Sequence, residues 1–175
     1  MSKLQRIEKD VKYKKFISNV KHGIFKVNSD KLISELQEMH ASRLSRKLTP
    51  EDVLRRFKTR FLESVLQNNA WRSRAVEIKM ECHRLLIKLD ELLPVLKKYI
   101  KSNYAKELQE YFKTQSDRDS YVDMLLEQAI RQKHSLEGVS KHADLLISDL
   151  DAAGWTAKGI IDVMELTSKR DAVSL

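Results

Sequence analysis

The stretch from Ser116 to Asp151 constrains this chain most, because it carries the longest unbroken helical pattern in the sequence. Val122, Ala129, Leu136, Ala143 and Leu150 recur every seven residues, and Leu125, Val139 and Leu146 fill a second seam that only Gln132 interrupts. A helix of about 35 residues is roughly 50 Å long at ~1.5 Å per residue, more than a small domain needs to cover its own core. Its apolar stripe must be buried by other helices, from the same chain, from further copies, or from both.

Composition points the same way. Four Gly and two Pro among 175 residues leave few turn formers, and 33% of the residues are charged. The expected class is all-α, with long heptad-patterned helices forming a helical hairpin or bundle of coiled-coil character. The single Cys82 has no internal partner for a disulfide, which points to a reducing compartment. No apolar run approaches the ~18 residues of a membrane span, so a soluble, cytoplasmic protein is expected, in the host cytoplasm if the chain is viral.

The net charge of +8 is unevenly spread. Residues 1 to 74 hold 18 Lys or Arg against 8 Asp or Glu, whereas residues 75 to 175 hold 15 against 17. The basicity belongs to the first half, which suggests polyanion binding there and assembly later in the chain. The same excess also fits lysines that only solvate helix faces. Two regions are expected on this basis: a basic helical region over 1–70, and a helical-hairpin and oligomerisation region over 71–175.

Residues 3 to 21 read as a basic amphipathic helix, with Leu4, Ile7, Val11, Phe16, Ile17 and Val20 among Lys3, Arg6, Lys9, Lys12, Lys14, Lys15 and Lys21. Gly23 can end it in a left-handed cap. The run Ile24 to Val27 fits an extended segment, and Asn28 or Ser29 caps a second helix bearing Leu32, Ile33, Leu36 and Met39. Thr49, Pro50, Glu51 and Asp52 form a strong start signal for a third. In that helix Arg55, Arg56, Lys58 and Arg60 interleave with Phe57 and Phe61, a pattern that suits phosphate contact, although rings four residues apart also suit a core.

A second heptad run covers Trp71 to Ile100, with Ala75, Cys82, Leu89 and Leu96 in one seam and Ile78, Leu85, Leu92 and Tyr99 in the other. Pro94 kinks or breaks this helix. Ser102 or Asn103 starts a short connector with Leu108 and Phe112, Ser116 with Asp119 resembles a capping box, and the chain is expected to turn at Gly154 before a final helix from Trp155. The two long runs therefore predict an α-hairpin.

Catalytic spacings are absent from the sequence. It has no phosphate-cradling Gly-rich loop and no paired Cys or His at metal spacing, and His134 with Glu137 fits a surface contact better than an acid/base pair. No enzyme activity, cofactor or metal is expected.

The stretch Trp155, Thr156, Ala157, Lys158, Gly159, Ile160, Ile161, Asp162, preceded by Asp123 and apolar positions at Leu126, Ile130, Leu136, Val139, Ala143, Leu146 and Leu150, resembles the phage recombination mediators of the UvsY type. Phe57-Lys58-Thr59-Arg60-Phe61 is similar to the Lys-x-Arg step that the family associates with single-strand binding. The resemblance covers about a quarter of the chain. It implies a single-stranded-DNA-binding accessory that assembles as a homo-oligomer and helps load a recombinase onto DNA coated with single-strand-binding protein. Arg55, Arg56, Lys58 and Arg60, with Lys12, Lys14 and Lys15, are the expected nucleic-acid contacts; Leu136, Val139, Leu146, Leu150, Trp155 and Ile161 are the expected assembly residues. The alternative is a non-enzymatic structural or adaptor protein of a phage assembly, with a protein as partner.

Overall fold

The computed structural model describes residues 5–45 and 58–173. Among these residues seven helices follow one another and no strand occurs: α1 (Gln5–Lys9), α2 (Val11–His22), α3 (Ser29–Ser45), α4 (Lys58–Asn103), α5 (Ala105–Tyr111), α6 (Gln115–Leu125) and α7 (Glu127–Val173). The fold is all-α, as the heptads require. The chain divides into two compact units, one of residues 1–29 and 81–139, the other of residues 30–80 and 140–175. Both long helices give a stretch to each unit, so neither unit follows the division at residue 70.

In the first unit, Cys82, Leu85, Leu89, Leu93, Leu96 and Ile100 of α4 are buried, as are Val122 and Leu125 of α6 and Ala129, Leu136 and Val139 of α7. Ile7, Phe16, Val20 and Phe25 add the N-terminal share, with the Phe16 and Phe25 rings 6.3 Å apart. Ion pairs tie the exposed flanks: Lys133 to Asp90 at 2.6 Å, Lys97 to Asp123 at 2.5 Å and Lys101 to Asp119 at 2.7 Å. Going up α4, the partners fall in number, so α4 runs antiparallel to α6 and α7. Gln132, the polar interruption in the seam, reaches the Val27 carbonyl at 3.5 Å.

In the second unit, Leu36 of α3, Ala75 and Ile78 of α4, and Ala143, Leu146 and Leu150 of α7 form the buried set. Arg74 holds Glu35 of α3 at 2.7 Å, and Arg72 and Lys79 hold Asp151 and Asp144 of α7 at 2.5 and 2.6 Å. Seven residues up α4 match seven down α7, which is an antiparallel pair here too. Arg43 of α3 pairs with Asp149, which His40 also approaches at 3.3 Å.

Several local expectations fail for identifiable reasons. The N-terminal helix is two, because Asp10 caps α2: its Oδ1 accepts the N–H groups of Lys12 and Tyr13 at 2.8 and 3.0 Å. Gly23 is not left-handed, with φ −105°; an added Cβ would lie 2.8 Å from the Asn19 Cα, so the position lacks room for a side chain. Residues 24–27 form a turn and an irregular segment, not a strand, and sink Phe25 into the core. Thr114, not Ser116, caps α6 through the Asp117 N–H at 3.1 Å, and the expected single helix is interrupted at Leu126. Tyr104 rather than Ser102 or Asn103 precedes the connector α5.

Of the two alternatives at Pro94, a kinked continuation or a break, the helix continues, and the turn expected at Gly154 does not occur. α4 runs through Pro94, which sits on the exposed face where water can satisfy the carbonyl it leaves unpaired. α7 runs through Gly154, which has no positive φ, because one helical glycine costs only about 0.5–1 kcal/mol relative to alanine. The apolar stripe of α4 also shifts: Leu92 is 42% exposed, whereas Leu93 is 7% exposed. Buried positions run Ile78, Cys82, Leu85, Leu89, Leu93, Leu96, Ile100, a spacing near 3.7 per turn that follows a straight helix better than a strict heptad does.

Candidate polyanion-binding surface

Helix α2 holds four lysines and no acidic residue, and amphipathic spacing sorts them. Phe16 and Val20 are buried and Tyr13 and Ile17 half-buried, while Lys12, Lys14, Lys15, Lys21 and His22 are exposed. Among the described residues no carboxylate stands within ion-pair distance of Lys14, Lys15 or Lys21. Lys12 lies over the Tyr99 ring, its Nζ 4.6 Å from the centroid. Several cations that lie between packed helices, by contrast, are engaged: Lys97, Lys101 and Lys133 in the first unit, and Arg43, Arg72, Arg74 and Lys79 in the second.

The ridge is held by one carboxylate. Asp10 Oδ2 accepts hydrogen bonds from Tyr104 at 2.8 Å and Tyr99 at 3.0 Å, while its Oδ1 caps α2. Partial burial pushes the Asp10 carboxyl up, but the bonds from the Tyr13 N–H, Tyr104, Tyr99 and the Lys12 N–H together outweigh it, leaving its pKa below the ordinary aspartate value. Desolvation, reinforced by the bond to Asp10, pushes the Tyr104 phenol up to about 12. Tyr13 adds a third tie, donating to the Leu125 carbonyl at 3.0 Å where α6 ends. Sequence reading missed this cluster because Asp10 lies 89 and 94 residues from Tyr99 and Tyr104; an aspartate two residues before a Lys-rich run was the one local sign.

Of the other expected phosphate contacts, Arg55 and Arg56 lie outside the described residues, together with Phe57 and the Thr49–Asp52 start signal. Lys58 and Arg60 belong to the first turn of α4. Phe61 is half-buried, and with Trp71 it lines a cleft of about 290 Å³ in the second unit that also carries Arg43, Gln67, Asn68 and Thr156.

The expected assembly residues separate into two groups. Leu136 and Val139 are buried in the first unit and Leu146 and Leu150 in the second, each within the chain itself. Trp155 is 72% exposed and Ile161 is also exposed. Among the described residues no three His, Cys, Asp or Glu side chains converge as metal ligands, and no helix is long and apolar enough to cross a membrane. Compared with family models, curated proteins and solved structures, the chain matches none.

Proposed function

We propose that this protein is a non-enzymatic accessory that binds single-stranded nucleic acid through a lysine ridge and works as an oligomer. In the manner of a recombination mediator, it would help load a recombinase onto a strand covered by single-strand-binding protein. The observation that carries the reading is the exposed face of α2, where Lys14, Lys15 and Lys21 have no ion pair among the described residues while Lys97, Lys101 and Lys133 are paired with carboxylates of neighbouring helices. Unneutralised cations held on one helix displace condensed counterions from a phosphate backbone into solution. Arg55, Arg56, Lys58 and Arg60 extend the set on sequence grounds, and the resemblance of residues 155–162 supplies the mediator role.

A few cations per copy bind weakly, so several copies on one strand gain affinity through effective concentration. Titrating a fluorescent oligothymidylate across a salt series tests the reading. Binding at ~50 mM salt, with log affinity falling against log salt at about −0.7 per phosphate neutralised, is expected. Binding with no salt dependence contradicts it. A recombinase-loading assay on strand covered by single-strand-binding protein separates mediator from simple binder. The exposed apolar side chains of α7 favour a second reading, a structural or adaptor protein of an assembly with a protein partner.

A further inference from the structure

The C-terminal part of α7 is apolar on two sides. One face carries Ala143, Leu146 and Leu150 into the core of the second unit. The opposite face exposes Leu145 at 71%, Trp155 at 72%, Val163 at 64% and Leu166 at 68%. Helical spacing places these four on a single stripe with Ser148, Ala152 and Gly159 between them. From Leu145 to Leu166 the stripe is roughly 32 Å long at ~1.5 Å per residue.

Its pattern reads the same in both directions. Leu145, Ala152, Gly159 and Leu166 recur every seven residues as large, small, small, large, with Trp155 at the centre. We infer that this outward face is a twofold interface at which a second copy of the chain packs its own α7 antiparallel. Leu145 then meets the second copy's Leu166, Ala152 meets its Gly159, and Ser148 meets its Val163. The two small residues let the backbones approach on either side of the paired tryptophans, and an isologous contact of this kind is the commonest way soluble proteins self-associate.

Charge selects the antiparallel direction. Asp151 and Lys158 flank the stripe seven residues apart, so antiparallel packing sets each Asp151 near the second copy's Lys158, twice per dimer. A parallel pair would carry this flank to opposite sides of the twofold, so neither Asp151 would lie near the second copy's Lys158. Asp151 already holds Arg72, but a carboxylate has about four lone-pair sites and can take the second cation. Trp155 alone offers about 150–250 Å² of burial, a fifth to a third of the ~800 Å² per partner in a standard interface. The aliphatic side chains and flanks supply the rest.

This inference deepens the assembly half of the proposed function, and its test uses no nucleic acid, so its failure leaves strand binding to be judged separately. Mass in solution should be twice that of the chain or a higher even multiple. Leu145→Glu with Leu166→Glu should halve the dimer mass while leaving helicity and the melting curve in place, since both side chains are exposed. A mixture of Ala152→Cys and Gly159→Cys proteins should be joined by a short thiol crosslinker, while neither variant alone is joined, and native Cys82 is buried. A monomeric wild type, an unchanged mass in the double variant, or crosslinking of Ala152→Cys to itself would each overturn the antiparallel pairing.

Discussion

Asp10 is the residue whose loss reaches furthest, because one carboxylate both starts α2 and accepts two tyrosines from elsewhere in the first unit. Asp10→Ala should cost about 1–2 kcal/mol in chemical denaturation, the upper range for a lost helix cap. Its folded pKa lies below the unfolded value, so its contribution is complete above the unfolded pKa and disappears as pH falls through the folded one. Wild-type stability should therefore drop below about pH 4, and the alanine variant should show a shallower drop there. Tyr104 acts at the other end: a phenol held up to about 12 contributes stability that is full below the unfolded value and is lost as pH rises through 12. Cys82 is buried, and desolvation with Glu81 nearby pushes its thiol up, so a thiol reagent should label it only as the chain unfolds. A labelling rate independent of denaturant would contradict that placement.

At the scale of elements, the helices themselves were readable from sequence, and their interruptions were not. The apolar period identified α4 and α7, since burying such a stripe admits few alternatives. Pro94 left continuation or a break open and Gly154 suggested a turn, yet each helix continues, because packing of the stripe over many turns outweighs one unfavourable residue. The break at Leu126 carried neither Gly nor Pro to announce it. Strict heptad counting placed Leu92 in the core, but a straight helix drifts from a seven-residue repeat and brings Leu93 inward. Leu93→Ala should cost about 2–5 kcal/mol, as a buried truncation does, and Leu92→Ala about 0.5 kcal/mol or less, as a surface change does. A larger cost for Leu92→Ala than for Leu93→Ala would show that the heptad count was right. Gly154→Ala, a helical position with open space around it, should stabilise the chain by about 0.5–1 kcal/mol in the same measurement.

Among the described residues, two sets of cations differ in their surroundings. Lys97, Lys101 and Lys133 are tied to carboxylates of the antiparallel helix packed against them, and the lysines of α2 are exposed. The sequence showed a basic first half, but a charge count cannot tell a tied arginine from an available one: Arg72 and Arg74 belong to that half and are both engaged. It likewise could not tell which apolar face stays outside, so the heptad seam read as an assembly surface closes within the chain while Trp155 remains exposed. The most direct measurement compares two triple variants for stability and for the salt slope of single-strand binding. Lys14→Ala/Lys15→Ala/Lys21→Ala should weaken binding and flatten the slope by roughly 2, at about −0.7 per lost phosphate contact, with the melting curve unchanged. Lys97→Ala/Lys101→Ala/Lys133→Ala should keep the slope and lose stability. Unchanged binding in the α2 variant, or a slope flattened instead by removing the tied lysines, would contradict the division between outward and internal cations.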